Sequence, residues 1–134
     1  RLFELYRAVW SEADVRPVEF SPRYLGALKH ALGDDYAYLI IRREKDILGF
    51  VTLIRDGETA IGYILGFDRE EAKALPLYLR LLHAVVERSL EGGCRRVSFG
   101  GTALEPKARL GAEPETVERL PAAEDALPLH RSVW

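Results

Sequence analysis

Apolar side chains recur twice at helical spacing in the N-terminal part of the chain. The first set lies three to four positions apart at Leu2, Leu5, Tyr6, Val9 and Trp10. This helix must end before Pro17, which lacks the amide hydrogen that a helix interior needs. Ser21 followed by Pro22 is typical of the cap and first position of a second helix, and Gly33 is typical of its end. The pattern therefore predicts two amphipathic helices.

Two β-type segments follow, and turn residues separate them. Residues 36–41 and 47–54 are rich in aromatic and β-branched side chains, and the polar residues 43–46 lie between them. The dipeptide Asp56-Gly57 is typical of a tight hairpin turn, so a third strand at about 59–67 should pair with the second. The pattern predicts three consecutive antiparallel strands.

Gly62 and Gly66 interrupt the third predicted strand. Because side chains alternate between the two faces of a strand, residues four apart are expected on one face. A glycine inside a strand is typical of a bulge or of a close backbone approach, and simple packing against a helix explains it equally well. Both interpretations stay open on the sequence alone.

The longest helix is predicted from Pro76 to about Leu90. Its expected buried stripe consists of Leu75, Tyr78, Leu79, Leu82, Val85 and Val86. Gly92 ends it, and residues 95–99 are typical of a fourth strand. A strand that returns to the same sheet through a helix pairs in parallel. A short helix at 107–110 and a last strand at 116–120 are predicted further on.

These elements predict an α/β domain with a mixed, mostly antiparallel sheet flanked by helices. We expect the domain to occupy residues 1–120, and the loop-like composition after Pro121 predicts a C-terminal tail at 121–134. A length of 134 residues suits one domain, and 48% hydrophobic residues are enough for its core. The chain opens on Arg1 and not on methionine, so we expect it to be part of a longer protein.

Charge and cysteine content argue against several classes of function. Nineteen Lys and Arg residues oppose 21 Asp and Glu residues for a net charge of -2, so nucleic acid is not expected as a partner. The apolar stretches are too short for a transmembrane segment. Cys94 is the single cysteine, which excludes a disulfide framework and a cysteine-based metal site. We therefore expect no metal and a cytoplasmic location.

Common catalytic signatures are missing from the sequence. The chain has no G-x-x-x-x-G-K-[ST], G-x-G-x-x-G, H-E-x-x-H or G-x-S-x-G motif, which argues against the corresponding nucleotide, zinc and hydrolase chemistry. His83 lies one helical turn before Glu87, and a surface ion pair explains that spacing. Arg95 beside Cys94 would favour a reactive thiolate, whereas a lone cysteine without a fixed base is more often structural.

The most informative segment joins the fourth strand to the short helix. The strand ends in two glycines, of which Gly101 is the second. Thr102 and Glu105 have capping-box spacing, and Glu105 as cap before Pro106 is the alternative. Amide hydrogens at such a helix start can bind an anion or a carbonyl, and Lys107 would add positive charge. Gly101, Thr102 and Lys107 are therefore candidate cofactor-binding residues.

The order of the elements resembles the Gcn5-related N-acetyltransferase (GNAT) fold over residues 1–120. A shorter signature at 95–114, RRVSFGGTALEPKARLGAEP, is similar to the FemAB-like and BioF2-like branch of that superfamily. The resemblance implies direct transfer of an acyl group to an amine. It also implies that the third and fourth strands separate at their carboxyl ends.

The same resemblance implies roles for three residues beside that separation. The backbone of Leu65 and Gly66 would bind the acyl donor, and an amide there would stabilise the oxyanion that develops during transfer. Tyr78 would act as the acid that protonates the leaving group. The alternative role for Tyr78 is packing in the core.

The resemblance finally implies the substrates. The donor would be acetyl-CoA or another acyl donor such as an aminoacyl compound, and the acceptor an amine on a small molecule or a cell-envelope precursor. Acetyl-CoA-dependent members hold the pyrophosphate with a glycine-containing turn before the long helix, but residues 69–79 contain no glycine. The FemAB-like branch often lacks this turn too. The alternative is a non-catalytic half of a tandem protein, which binds substrate or stabilises a second GNAT-like domain.

Overall fold

The structure is a computed structural model that describes residues 1–14, 16, 18–100 and 104–115. The chain divides into two compact units, Arg1–Gly100 and Gly101–Trp134. The predicted domain boundary at residue 120 and the predicted strand at 116–120 lie outside the described residues.

A four-stranded sheet forms the centre of the first unit. Strands β1 (Tyr36–Arg43), β2 (Asp46–Asp56) and β3 (Thr59–Phe67) pair antiparallel in that order. Strand β4 (Arg96–Ser98) pairs in parallel with β3, so the order across the sheet is β1-β2-β3-β4. The predicted mixed, mostly antiparallel sheet is confirmed.

Helices cover both faces of this sheet. Helices α1 (Leu2–Glu12) and α2 (Pro22–Leu32) pack on one face, and α3 (Leu77–Glu91) packs on the other. Single 3-10 turns at Gly33–Asp35 and Glu71–Lys73 precede β1 and α3. A sheet that is buried on both sides explains why the centre of β2 is almost continuously apolar.

Each face of the sheet has its own hydrophobic core. The core under α3 consists of Leu48, Val51, Leu53, Ala60, Phe67, Leu77, Leu81 and Val85. The core under α1 and α2 consists of Leu5, Tyr6, Leu25, Phe50 and Ile64. Among the buried residues of β3, Ala60 and Phe67 therefore face α3, whereas Ile64 faces α1 and α2.

The buried stripe of α3 differs from the predicted one. Leu77 and Leu81 are 1% and 0% exposed and lie at its centre, although the sequence pattern did not include them. Leu82 and Val85 are buried as predicted. The helix begins directly after Pro76, and its buried face follows the spacing of four residues at Leu77, Leu81 and Val85. The predicted face was therefore rotated around the helix by about one position.

A β-bulge shifts the register within β3. Val51 pairs with Leu65 and Leu53 pairs with Gly62, so two residues of β3, Tyr63 and Ile64, lie opposite the single residue Thr52. An extra residue reverses the alternation of side chains beyond it. Side chains after the bulge therefore point to the opposite face from the one that simple counting gives.

The bulge overturns the expectation that Gly62 and Gly66 lie on one face. A Cβ atom built on Gly62 would lie 3.5 Å from Val85 of α3, which is ordinary contact. A Cβ atom built on Gly66 would lie 2.4 Å from the backbone of Leu5 and Tyr6 in α1. Gly62 thus packs against one helix, while Gly66 permits a close approach of the other.

Tyr36 and Tyr38 lie on one face of β1, but only one of their hydroxyls has a protein partner among the described residues. The Tyr38 hydroxyl donates to the carbonyl of Leu25 at 2.8 Å. Tyr36 is 0% exposed, and its hydroxyl has no such bond. Burial raises the pKa of Tyr36 to about 12.

We expect Tyr36→Phe and Tyr38→Phe to differ in their effects on stability. At pH 7, Tyr38→Phe should cost about 1 kcal/mol because it removes a hydrogen bond, while Tyr36→Phe should cost less. Above pH 10 the phenol of Tyr36 ionises in the unfolded chain but stays neutral in the folded one, so the wild type loses stability as pH rises. Between pH 7 and pH 11, the free energy of unfolding of Tyr36→Phe should therefore fall by about 1 kcal/mol less than that of the wild type. Urea unfolding at both pH values measures this, and a larger cost of Tyr36→Phe at pH 7 would contradict it.

The second unit contains helix α4 (Leu104–Ala108) among its described residues. This helix begins three residues earlier than predicted, and Gly111 follows it with a φ of +83°. Within the described part of the chain, no helix has the length and apolar character needed to cross a membrane.

Candidate active site

The pairing of β3 with β4 ends well before β3 does. Only Thr59, Ala60 and Ile61 of β3 have partners on β4, and β4 ends at Ser98. β3 continues to Phe67, and residues 64–67 have no strand partner on this side within the described part of the chain. We call this side of residues 64–67 the open edge. It lies where the resemblance implied that the strands separate.

The backbone groups at the open edge follow from the pairing of β2 with β3. The amide of Asp68 donates to the carbonyl of Leu48 at 2.8 Å, which makes these two residues a hydrogen-bonded pair of the antiparallel ladder. Hydrogen-bonded and non-bonded pairs alternate, so the next bonded pair is Phe50 with Gly66. Leu65 therefore directs its N–H and C=O away from β2, toward the open edge.

Leu65 and Gly66 consequently have different roles in the structure. Of the two predicted donor-binding residues, only Leu65 has its amide at the open edge. The amide of Gly66 points to β2, and its Cα faces the backbone of α1. The oxyanion role is thus available to the Leu65 amide, while Gly66 is explained by the close approach of α1.

Thr52 holds the bulge that precedes this amide. Its Oγ1 accepts the N–H of Ile64 at 2.8 Å and donates to the carbonyl of Ile64 at 3.3 Å. The Thr52 side chain is 0% exposed. Thr52 was not predicted from the sequence, although a single hydroxyl side chain in the apolar run Gly-Phe-Val-Thr-Leu-Ile is a signal that could have identified it.

Tyr78 lies beside the end of the open edge, on the face of the sheet that α3 covers. Its ring centroid is 6.1 Å from that of Phe67, at an interplanar angle of 53°. The side chain is half-buried against the core under α3, and burial raises its pKa. This packing is the alternative role that the sequence left open, and it also keeps the phenol protonated at neutral pH.

An aromatic cluster that was not predicted from the sequence lies on the other face of β3. We define the cluster as Phe20, Tyr24 and Tyr63. The rings of Phe20 and Tyr24 are stacked with centroids 4.6 Å apart, and Phe20 lies 6.0 Å from Tyr63. The hydroxyls of Tyr24 and Tyr63 are hydrogen-bonded at 3.1 Å. Burial, together with the bond to Tyr24, raises the pKa of Tyr63.

The turn between β3 and α3 binds one of its own carboxylates. Asp68 Oδ1 accepts the amides of Glu70 and Glu71 at 3.0 and 3.1 Å. The bond from the Glu71 amide and the contact with Arg1 lower the pKa of Asp68. We call residues 68–71 the Asp68 turn. Two amides that could otherwise bind a phosphate are therefore occupied by a carboxylate.

The basic side chains near the Asp68 turn have acidic partners. Arg69 pairs with Glu12, and Lys73 pairs with Glu70 at 2.7 Å. The Arg43 guanidinium of β1 donates a hydrogen bond to the Glu71 carboxylate at 2.8 Å. This bond lowers the pKa of Glu71. Each of these exposed basic side chains therefore has an acidic partner in the folded chain.

The remaining predicted residues are only partly described. Gly101 and Thr102 lie outside the described residues. Lys107 in α4 is buried, 6% exposed, and burial lowers its pKa. Cys94 is a free thiol that packs against the core under α3, which agrees with a structural role. The described residues contain no group of three or more His, Cys, Asp or Glu side chains suited to a metal ion.

The fold is that of the GNAT-type acyltransferases. Solved structures share the fold. An aminoglycoside acetyltransferase from an uncultured soil metagenomic sample has a TM-score of 0.60 and 17% identity, covering 92% of this chain and 86% of that chain. Glucosamine-6-phosphate N-acetyltransferase from Arabidopsis thaliana has a TM-score of 0.63 and 13% identity, covering 92% and 88%.

A third solved structure carries a CoA-containing ligand. It is AAC(6')-Iy in complex with a bisubstrate analogue, with a TM-score of 0.57 and 14% identity, covering 93% of this chain and 92% of that chain. A comparison with curated proteins finds no match. The family model described as "Acetyltransferase (GNAT) domain" matches residues 1–114. The chain belongs to this GNAT acetyltransferase family.

Proposed function

We propose that this domain transfers an acyl group from a thioester donor to a primary amine on a small molecule. The observation that carries the proposal is the open edge of β3, where the Leu65 amide has no strand partner within the described residues. An amide that is fixed in a strand and directed away from its strand partner is preorganised for a developing negative charge.

The chemistry needs few groups from the protein. The amine nitrogen attacks the thioester carbonyl carbon, the carbon–sulfur bond breaks, and the amine releases a proton to solvent. The Leu65 amide would donate to the carbonyl oxygen as its negative charge develops. The Tyr78 hydroxyl, which is protonated at neutral pH, would give its proton to the departing sulfur and then take one back from solvent.

The proposed donor is an acyl thioester on an amide-containing arm, with acyl-CoA as the first compound to test. The open edge suits such an arm because Leu65 and Phe67 alternate N–H and C=O groups along it. The structural neighbour AAC(6')-Iy was solved with a CoA-based ligand. The Asp68 turn does not suit the diphosphate of CoA, since its amides bind Asp68 and its basic side chains are paired.

Membership in the FemAB-like or BioF2-like branch remains part of the proposal, as do an envelope-precursor acceptor and a cytoplasmic location. The Asp68 turn supports this branch because it contains no glycine, whereas acetyl-CoA-dependent relatives use a glycine-containing turn at this place. The same turn favours a second candidate function, in which the domain is a non-catalytic half that stabilises a second GNAT-like domain. Lys107, Gly101 and Thr102 stay candidates for donor binding.

Acetyl-CoA and acetyl-pantetheine separate these possibilities. We expect thioester cleavage in the presence of glucosamine with both donors, and KM values that agree within about threefold because the diphosphate contributes little. Leu65→Pro removes the amide hydrogen and should lower kcat roughly tenfold or more. Leu65→Val, which keeps the amide, is the matched control, and urea unfolding checks that both variants fold. If neither donor reacts or binds at millimolar concentration, the non-catalytic alternative is supported instead.

A further inference from the structure

The aromatic cluster and Tyr78 lie on opposite faces of the same strand. Tyr63 packs with the core under α1 and α2, whereas Tyr78 packs with the core under α3. Tyr63 also lies directly before the open edge, two residues before Leu65, so the Cα atoms of the two residues are at most about 7 Å apart. A ring-sized molecule on the aromatic cluster could therefore reach the carbonyl that the Leu65 amide binds.

The cluster is held rigidly before any ligand arrives. The bulge next to Tyr63 is tied to Thr52 by two hydrogen bonds. Tyr24 lies in the first turn of α2, where Pro22 restricts the backbone. The Phe20 ring is stacked on Tyr24 and contacts Tyr63, and all three side chains are partly exposed. Rigid, partly exposed rings bind a ligand at a low cost in conformational entropy.

The chemistry of the cluster is apolar and hydroxylated, and none of its three side chains is charged at neutral pH. The rings offer flat apolar surface. A tyrosine hydroxyl has one donor and two acceptor positions, and the bond to Tyr63 uses only one position of Tyr24. Tyr24 can thus bind a hydroxyl of a molecule whose apolar face rests on the rings.

We propose that Phe20, Tyr24 and Tyr63 bind the amine acceptor, and that they select a primary amine carried on a hydroxylated ring, as in an amino sugar. The inference rests on the proposed acyl transfer at the open edge. It assigns Phe20 to the apolar face of the ring and the tyrosine pair to its hydroxyls. A polyamine would gain less here, because the cluster offers it no carboxylate.

Two acceptors test this assignment, one with ring hydroxyls and one without. With acetyl-CoA as donor, Tyr24→Phe and Tyr63→Phe should raise the KM for glucosamine about five- to tenfold, the loss expected for one hydrogen bond. The KM for cyclohexylamine should change less than twofold in the same variants. Phe20→Leu should raise both KM values. Tyr38→Phe, whose hydroxyl bonds to Leu25 instead, is the control and should change neither.

Calorimetric titration with glucosamine gives a second readout that needs no turnover. The Kd of the two tyrosine variants should rise by the same five- to tenfold. Equal effects on glucosamine and cyclohexylamine, or unchanged glucosamine affinity, would overturn the acceptor assignment while leaving acyl transfer standing. If acyl transfer is absent while the wild type binds glucosamine and Tyr24→Phe binds it more weakly, the proposed function is overturned, and only the binding of an amino sugar by the cluster stands.

Discussion

Replacing Gly66 by alanine is expected to destabilise the domain by roughly 3 kcal/mol, the upper end of what overpacking a core costs. The new Cβ atom would lie 2.4 Å from two backbone atoms of α1, at Leu5 and Tyr6. A backbone cannot rotate aside as a flexible side chain can, so α1 must move away from the sheet. The urea midpoint of Gly66→Ala against the wild type measures the loss.

Gly26→Ala provides the matched control. Gly26 lies within α2, and a Cβ atom there would have nothing within 4 Å. This substitution should stabilise the domain by about 0.5–1 kcal/mol, because alanine favours a helix over glycine. The explanation of Gly66 by close approach fails if both variants unfold at the same urea concentration.

Thr52→Val is expected to cost about 3 kcal/mol, although the two side chains have nearly the same shape. The substitution leaves the N–H and C=O of Ile64 without the hydroxyl that bonds to them, in a fully buried position, and each unpaired group costs roughly 1–3 kcal/mol. Thr52→Ser keeps the hydroxyl and loses one methyl group, so it should cost less, about 1 kcal/mol.

Hydrogen exchange locates the effect of this substitution. The amide of Ile64 should exchange faster in Thr52→Val than in Thr52→Ser, since only the valine variant lacks the acceptor. If valine is tolerated as well as serine, the hydroxyl does not hold the bulge. Thr52→Val should also lower acyl transfer, because the Leu65 amide follows directly on the bulge.

Local signals in the sequence predicted the elements well. Ser21 and Pro22 precede α2 and Gly33 follows it with a φ of +56°, as the capping pattern indicated. β3 spans Thr59–Phe67, as the turn at Asp56-Gly57 and the apolar run predicted. These signals depend on residues close together in the chain, which is why a single sequence reveals them.

The candidate site was harder to predict because it depends on contacts between distant residues. The bulge is held by Thr52, twelve positions before Ile64, so counting along β3 alone placed Gly66 on the wrong face. The hydroxyl pair joins Tyr24 to Tyr63 across 39 positions. Leu65 was selected through a family resemblance, and only the ladder with β2 separates its role from that of Gly66.

One additional residue in β3 determines which side chains at the end of the strand face α3 and which face α1. Before the bulge, Ala60 and Gly62 face α3, and after it Leu65 and Phe67 do so while Gly66 faces α1. Without the extra residue, the strand would turn Phe67 toward α1 and Gly66 toward α3, and the contact with the Leu5 backbone would have no glycine. The number of residues in this strand therefore determines which helix each of its side chains meets, and deleting one residue at the bulge would place the wrong side chain against α1.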